Sequence, residues 1–332
     1  MLYTQAGEKK VKCNLCARGC TILEDKVGFC RVRKNVGGKL YALNYAKAIA
    51  ANPDPIEKKP LYHFLPRSTT FSVATIGCNL ACSYCQNWSI SQEREMVGTV
   101  LPPEKVVQEA LADGCAAISY TYTEPTIFFE WAYDISRLAR GKGLRNTFVT
   151  NGYMTTDAID AIAPYLDAAT VDFKGSGNPE FYRRFAQAPK VEPIFESLKA
   201  MKAKGIHIEV TDLIVPKYGD SAEDAKMLAE WIENNLGPEI PFHVLRFHPD
   251  YKLLDLPSTP MTSIERAVNV AKDVGLRYVY GGNVPGHSTE NTYCPSCGDL
   301  LIERWGFSVI QWNLTNEVKC PKCGTAIPIV VK

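Results

Sequence analysis

Residues 70–85 read TFSVATIGCNLACSYC, an apolar and β-branched run that leads directly into a C-x3-C-x2-C motif. The run predicts a β-strand from Thr70 to Gly77. The thiols of Cys78, Cys82 and Cys85 then lie on one short loop at the end of this strand. Three thiolates on such a loop can bind three irons of a cubane cluster and leave the fourth iron without a protein ligand. The spacing therefore predicts a 4Fe–4S cluster with one open iron.

An open iron points to a particular chemistry. It can chelate the amino and carboxylate groups of S-adenosylmethionine (SAM), and an electron from the reduced cluster can then cleave the sulfonium bond to give a 5′-deoxyadenosyl radical. A cluster used only for electron transfer normally has four cysteines, and no fourth cysteine follows nearby. A zinc site with a distant fourth ligand and a reactive thiol pair are the alternatives for the same residues.

After the motif, short β-branched or aromatic runs alternate with stretches of helical periodicity. Further strands are predicted at 116–122, 146–150, 168–173, 207–215 and 243–247, with a short closing strand at 277–280. Helices are predicted at 104–112, 127–140, 156–165, 194–204, 222–235 and 263–274.

Repeated βα units predict parallel strands joined by right-handed crossovers. About six units fall short of the eight in a closed TIM barrel. No G-x-G-x-x-G follows the first strand, so a dinucleotide-binding fold has no support. We therefore expect an α/β fold, a partial and open (β/α)6 TIM-like barrel whose active face is formed by the C-terminal ends of its strands.

Composition and charge exclude several classes of protein. The 332 residues are 46% hydrophobic and 22% charged, which is typical of a globular protein with a core. The formal net charge of +1 gives no global field that would favour nucleic acid or acidic membranes. The N-terminus MLYTQAGEKKVKCN has no apolar signal region, and no stretch approaches the roughly eighteen apolar residues of a membrane helix. We expect a cytoplasmic protein.

The twelve cysteines fall into three tight sets, with only Cys115 standing alone as an expected core residue. Without a signal peptide, metal ligation is favoured over disulfides. Besides the central set, one set lies near each terminus: Cys13, Cys16, Cys20 and Cys30, and Cys294, Cys297, Cys320 and Cys323. We expect three regions, with a cysteine-rich segment and connector at 1–65, the barrel at 66–290, and a zinc-ribbon or rubredoxin-like domain at 291–332.

The N-terminal and C-terminal cysteine sets differ in how regularly their cysteines are spaced. The C-terminal set forms two C-P-x-C-G knuckles, and four thiolates at this spacing suit tetrahedral zinc or a single iron. The N-terminal set is C-x2-C-x3-C-x9-C and is less regular. A structural zinc is the first expectation there, and an auxiliary iron–sulfur cluster is the close alternative.

The cluster motif and the strand ends after it resemble the radical SAM superfamily, in the branch that includes pyruvate formate-lyase activating enzyme. The resemblance implies that Tyr84 lies beside the cluster and the adenine. It also implies that Glu124, in Thr-Tyr-Thr-Glu-Pro, binds the SAM amino group, although threonines replace the family's glycines there. Thr150 and Asn151 match the family's Thr-Asn-Gly. Asp172, in Asp-Phe-Lys, matches a position near a cation and the SAM carboxylate.

Each of these residues has a structural alternative. Glu124 could be a first-turn carboxylate of a helix, Asn151 could belong to an Asn-Gly turn, and Asp172 could form a local ion pair with Lys174. His248 and His287 lie in proline-containing loops and are weak catalytic candidates, since a lone loop histidine is more often incidental.

A closer resemblance rests on DPIEKKPLYHF before the first strand, CNLACSYCQNWSIS at the cluster and GGNVPGHSTENTYCPSCG near the C-terminus. These motifs, and the order of the cysteine sets, resemble AmmeMemoRadiSam-type radical SAM proteins. The family implies Memo-type and Ammecr-type protein partners, and an electron donor such as flavodoxin or ferredoxin. It does not imply a substrate.

Three functions are compatible with the sequence. The first is an oxygen-sensitive radical enzyme that abstracts hydrogen from a protein, a peptide or a partner-delivered substrate. The second is an RNA-modifying radical enzyme that uses the ribbon to bind RNA, which the net charge of +1 does not support. The third is a non-catalytic electron carrier or scaffold, for which an open iron would have no use.

Overall fold

The structure is a computed structural model that describes residues 1–331. Its strands, in chain order, are β1 (Tyr3–Gln5), β2 (Val11–Cys13), β3 (Thr21–Ile22), β4 (Arg33–Val36), β5 (Lys39–Ala42), β6 (Lys47–Ala48), β7 (Ala50–Pro55), β8 (Thr69–Ala74), β9 (Thr99–Val100), β10 (Ala117–Tyr120), β11 (Arg145–Thr150), β12 (Ala168–Lys174), β13 (His207–Ile214), β14 (Phe242–Arg246), β15 (Val279–Gly282), β16 (Thr292–Tyr293), β17 (Leu300–Trp305) and β18 (Ser308–Trp312).

The helices are α1 (Trp88–Ser91), α2 (Pro103–Ala112), α3 (Phe129–Gly141), α4 (Thr156–Ile162), α5 (Pro179–Phe181), α6 (Glu192–Ala203), α7 (Ala222–Leu236) and α8 (Met261–Val274). Short 3-10 turns lie at Ile56–Lys58, Pro125–Phe128, Gly175–Gly177 and Ser288–Glu290, and a π-helical turn at Tyr182–Ala186. Every strand and helix of the predicted βα series is confirmed, with ends shifted by three residues at most.

The chain forms two compact units, and the first comprises residues 1–54, 69–169 and 183–207. Its sheet runs β7-β8-β10-β11, and β10 pairs in parallel with both β8 and β11. Five of the six β8 residues are buried, as expected for a parallel strand covered on both faces. Because parallel strands end at one edge, the loops after β8, β10 and β11 lie close together. Cys78, Glu124 and Asn151 are all on these loops.

Local sequence signals explain where the helices of this unit begin. Pro103 occupies the first turn of α2, where its missing N–H costs nothing. The Thr155 hydroxyl accepts a hydrogen bond from the Ala158 N–H at 3.2 Å and caps α4. The predicted starts of α2 and α4, at 104 and 156, lie within one residue of the observed ones.

The second unit comprises residues 55–68, 170–182 and 208–331 of the described chain. Within it β13, β14 and β15 pair in parallel, and α7 packs against α8. Its C-terminal part is a small antiparallel sheet, β16-β17-β18. A hydrophobic cluster joins this small sheet to β15.

The end of the predicted connector is part of this core. His63 is fully buried, and its Nε2 lies 2.7 Å from the Tyr280 hydroxyl on β15. The buried Glu209 carboxylate accepts hydrogen bonds from the His63 N–H at 2.7 Å and from His243 Nε2 at 2.8 Å. The segment PLYHF is therefore a packed element with a specific hydrogen-bond network.

Among residues 1–331, no helix combines the length and the apolar character needed to cross a membrane.

Candidate active site and metal centres

The loop that carries the central cysteines is fixed by its backbone. Gly77, directly before the motif, has a φ of +93°, and a Cβ at this position would lie 2.9 Å from the carbonyl oxygen of Cys30. Further along the loop, the Ser83 N–H donates to the Phe185 carbonyl at 2.8 Å. The sequence therefore needs glycine at the end of β8 so that the loop can approach the N-terminal segment.

Cys78 is partly buried and lies in an electronegative environment. Its sulfur accepts a hydrogen bond from the Leu80 N–H at 3.4 Å, and Asn151 Nδ2 lies 3.8 Å away. Burial raises the pKa of Cys78 well above its ordinary value, and the charges of Glu124 and Cys82 raise it further. Buried thiolates beside a buried carboxylate call for a cationic group, and a thiolate-ligated iron core supplies one. These residues fit an iron–sulfur cluster.

Glu124 lies at the centre of a hydrogen-bond network and has no solvent exposure. Its Oε1 accepts from the Thr126 N–H at 3.0 Å, the Thr126 hydroxyl at 2.6 Å and the Thr150 hydroxyl at 2.8 Å, and its Oε2 accepts from the Asn151 N–H at 2.9 Å. Burial raises the pKa of Glu124, although these donors act in the opposite direction. A carboxylate offers about four lone-pair sites. Glu124 thus ties the end of β10 to the end of β11 and also caps the turn at Pro125–Phe128.

Replacing Glu124 by alanine should lower the free energy of unfolding by about 3 kcal/mol or more, because it leaves several buried donors without an acceptor. Glu124→Gln keeps the volume and one oxygen, so a loss of about 1–2 kcal/mol is expected. Chemical denaturation of cluster-free protein measures both changes. An alanine variant as stable as the wild type would show that these hydrogen bonds do not hold the two loops together.

Asn151 links the cluster loop to β11. Its Nδ2 donates to Asn79 Oδ1 at 2.7 Å, and its Oδ1 accepts from the Tyr153 N–H at 3.0 Å. Tyr84 is almost completely buried in the same loop system. The structure therefore brings Cys78, Glu124, Thr150 and Asn151 of the predicted set together, while their roles toward SAM stay predictions.

Tyr122 is a residue that sequence reasoning missed. It has a φ of +61°, a left-handed conformation that is uncommon for a bulky residue and needs support from its surroundings. Its carbonyl accepts from Asn87 Nδ2 at 2.9 Å, and its hydroxyl donates to the Asp54 carboxylate. Ser72 Oγ donates to the same carboxylate at 2.7 Å. The backbone just before Glu124 is therefore fixed by two contacts, one with Asn87 near the cysteine loop and one with Asp54 in β7.

Asp172 lies in the second unit, at the end of β12. Lys174 Nζ lies 3.3 Å from Asp172 Oδ2, and the Thr211 hydroxyl donates to Oδ1. This is the local ion pair that the sequence analysis kept as an alternative, and the predicted role of Asp172 toward SAM stays a prediction.

The two candidate histidines are in exposed or half-exposed ion pairs. His248 Nδ1 lies 3.2 Å from Asp250, and the His248 side chain is 67% exposed. His287 Nε2 lies 3.3 Å from Glu265, and His287 Nδ1 lies 2.9 Å from the Thr289 hydroxyl. These contacts suit surface residues of loops and give no support to a catalytic role.

The C-terminal cysteines form a compact metal centre. The sulfur atoms of Cys294, Cys297, Cys320 and Cys323 all lie within 4.8 Å of one another, with separations of 3.5 Å for Cys294–Cys323 and 3.7 Å for Cys297–Cys320. Bonds of about 2.3 Å to one tetrahedral ion place sulfur atoms about 3.8 Å apart. Hydrogen bonds from Thr325 lower the pKa of Cys323 to about 6 and favour its thiolate. The four ligands fit a single tetrahedral ion.

The N-terminal cysteines also meet at one place. Cys13, Cys16, Cys20 and Cys30 all line a single cavity in the first unit, together with Arg18, Arg33 and Asn79. Asn79 is the residue that follows Cys78, so this cavity borders the central cysteine loop.

The fold and the cysteine loop define the class of protein. The profile of the Radical SAM superfamily matches residues 72–232. The chain is 46% identical over 334 residues to the uncharacterized protein MJ0808 of Methanocaldococcus jannaschii, covering 100% of this chain and 99% of that protein. The chain therefore contains a domain of the radical SAM superfamily, and this family implies a 4Fe–4S cluster and SAM.

Two further relatives are consistent with this assignment. Pyruvate formate-lyase-activating enzyme of Clostridium pasteurianum is 26% identical over 194 residues, which cover 54% of this chain and 80% of that enzyme. The crystal structure of Streptococcus suis SuiB bound to S-adenosylmethionine matches with a TM-score of 0.51 and 12% identity, over 66% of this chain and 51% of SuiB. The matched region spans about half of SuiB, and at this identity the likeness shows the fold alone.

Proposed function

We propose that this protein reductively cleaves SAM to a 5′-deoxyadenosyl radical, which abstracts hydrogen from a protein, a peptide or a partner-delivered substrate. The observation that carries the proposal is the partly buried Cys78–Cys85 loop after β8, which lies beside the buried Glu124 and Asn151. The cluster would be held by Cys78, Cys82 and Cys85, and when bound it supplies the electron that breaks the sulfonium bond.

The protein's own residues have defined tasks in this proposal. Leu80 and Asn151 offer N–H groups toward the Cys78 sulfur. Glu124 holds the end of β10 beside the end of β11 through the hydrogen bonds that it accepts from Thr150 and Asn151. Burial of Tyr84 and Leu80 limits the access of water to the loop, which protects a reactive radical from side reactions.

We also propose how the chain divides into domains and which subclass of radical SAM enzyme it represents. We assign residues 66–290 to a partial (β/α)6 barrel, 1–65 to an N-terminal metal-binding segment and 291–332 to a rubredoxin-like ribbon that holds zinc or iron. The motifs DPIEKKPLYHF and GGNVPGHSTENTYCPSCG support an AmmeMemoRadiSam-type enzyme with Memo-type and Ammecr-type partners and a flavodoxin or ferredoxin donor. His63 of the first motif contacts Tyr280, the residue directly before the second motif.

An anaerobic SAM-cleavage assay tests the function. Protein reconstituted with iron and sulfide is reduced with dithionite, mixed with SAM and analysed for 5′-deoxyadenosine beside its EPR spectrum. We expect 5′-deoxyadenosine and a cluster signal that changes when SAM is added. If the cluster assembles but SAM neither changes the signal nor is cleaved, the protein is an electron carrier or scaffold and the proposal is wrong.

A further inference from the structure

We propose that Cys13, Cys16, Cys20 and Cys30 hold a second 4Fe–4S cluster, rather than a single zinc ion. The proposal concerns a site outside the C-x3-C-x2-C loop and does not depend on SAM cleavage. It rests on the cavity that the four cysteines share, the separation of their sulfur atoms, the charged and polar groups around them and the contacts of this segment with the central loop.

The four cysteines surround one cavity although up to seventeen positions separate them in sequence. Ile22 and Gly28 complete the wall of this cavity between the thiols. Gly28 is needed there, because a Cβ at this position would lie 3.2 Å from the Ile22 side chain and 3.8 Å from the Cys20 sulfur.

The separation of the sulfur atoms differs between the two terminal sets. One tetrahedral ion with bonds of about 2.3 Å requires sulfur atoms about 3.8 Å apart. The C-terminal set meets this requirement, and among residues 1–331 it is the only group of three or more such ligands within 4.8 Å of one another. The N-terminal sulfurs are therefore more widely spread around their cavity. A cubane core, with an iron at each of four corners, holds its thiolates farther apart than a single ion does.

Backbone donors indicate that these sulfurs are metal ligands. The backbone N–H groups of Leu15, Arg18 and Val32, each two positions after a cysteine, favour the thiolate forms of Cys13, Cys16 and Cys30. Cys78 in the central loop accepts from Leu80 in the same way. Hydrogen bonds of this kind stabilise thiolates and tune the reduction potentials of iron–sulfur clusters.

Two arginines supply positive charge at the cavity. Arg33 is buried, and it is held by Glu130 at 2.5 Å and by the Ile127 carbonyl at 3.0 Å. Arg18 donates to the carbonyl of Asn79 and, at 2.6 Å, to that of Gln187. A cluster ligated by four thiolates carries net negative charge, so these two cations suit it.

The N-terminal set also contacts the central loop. The Cys30 carbonyl packs against Gly77, and Arg18 lies where its charge acts on Cys16, Cys20 and Cys78 together. The second cluster would thus sit next to the first within the same compact unit.

Metal analysis of two matched variants tests the inference. The first, Cys78→Ala/Cys82→Ala/Cys85→Ala, should still bind about four iron and about four sulfide per chain after anaerobic reconstitution in the presence of zinc. Its EPR signal after dithionite reduction should not respond to SAM. The second, Cys13→Ala/Cys16→Ala/Cys20→Ala, should lose the same amount of iron and sulfide relative to the wild type and keep the remaining cluster.

The inference is overturned if the first variant contains no iron and binds about two zinc ions, one at each terminal cysteine set. If either variant fails to fold, the metal content of the reconstituted wild-type protein tests the inference instead. About eight iron per chain supports a second cluster, and about four iron with two zinc excludes it. A protein that holds both clusters but does not cleave SAM would contradict the proposed function alone, so the two failures are distinguishable.

Discussion

Replacing Cys82 by alanine should abolish the formation of 5′-deoxyadenosine from SAM. The motif offers three thiolates, and a cubane bound through only two of them lacks the fixed orientation that presents its open iron to SAM. The nearness of Cys82 to Cys78 is evident from its effect on the Cys78 pKa, which its negative charge raises. We expect product to fall to the level formed without protein, measured by chromatography after anaerobic reduction.

Cys115→Ala is the matched control for this experiment. Cys115 is a buried cysteine of the same compact unit, next to β10 and outside all three sets. Its replacement should leave the rate of SAM cleavage and the iron content unchanged. Should Cys82→Ala cleave SAM as fast as Cys115→Ala, Cys82 would not be a cluster ligand and the C-x3-C-x2-C assignment would be wrong.

Sequence periodicity predicted the elements of the βα series because each is defined by neighbours along the chain. The strand observed at His207–Ile214 was predicted at 207–215, and the helix at Ala222–Leu236 at 222–235. The last strand, β15 at Val279–Gly282, was predicted two residues early, at 277–280. A Cβ on Gly282 would lie 2.5 Å from the Leu245 side chain, so glycine there allows close packing against β14.

The sequence predicted the candidate cluster cysteines and several residues near them, but not the hydrogen bonds that connect these residues. A C-x3-C-x2-C spacing is a local pattern, whereas the donors to Glu124 include residues 26 and 27 positions away, and the partner of Tyr122 is Asp54, 68 positions away. Such contacts depend on which strands become neighbours in the sheet. The meeting of the four N-terminal cysteines around one cavity, bordered by Asn79, is likewise a tertiary feature.

Removing the C-terminal metal ligands should unfold the small sheet β16-β17-β18. Cys294 and Cys320 are themselves members of its hydrophobic cluster, beside Leu301 and Ile302. A sheet this small has little apolar surface of its own to bury, so it depends on its metal. Binding of a structural metal by four thiolates contributes about 10 kcal/mol. Cys294→Ala/Cys297→Ala should therefore lose about one metal ion per chain.

Hydrogen exchange of the β17 and β18 amides, with metal analysis of the same samples, measures this effect. The double variant should lose protection in both strands, and in the segment around His63, whose carbonyl accepts the Val330 N–H at 2.8 Å. Lys322→Ala is the matched control, because Lys322 lies between Cys320 and Cys323 with a side chain 63% exposed and should leave metal and protection unchanged. Full protection in the metal-free double variant would mean that packing of the hydrophobic side-chain cluster against β15 is sufficient to keep the sheet folded.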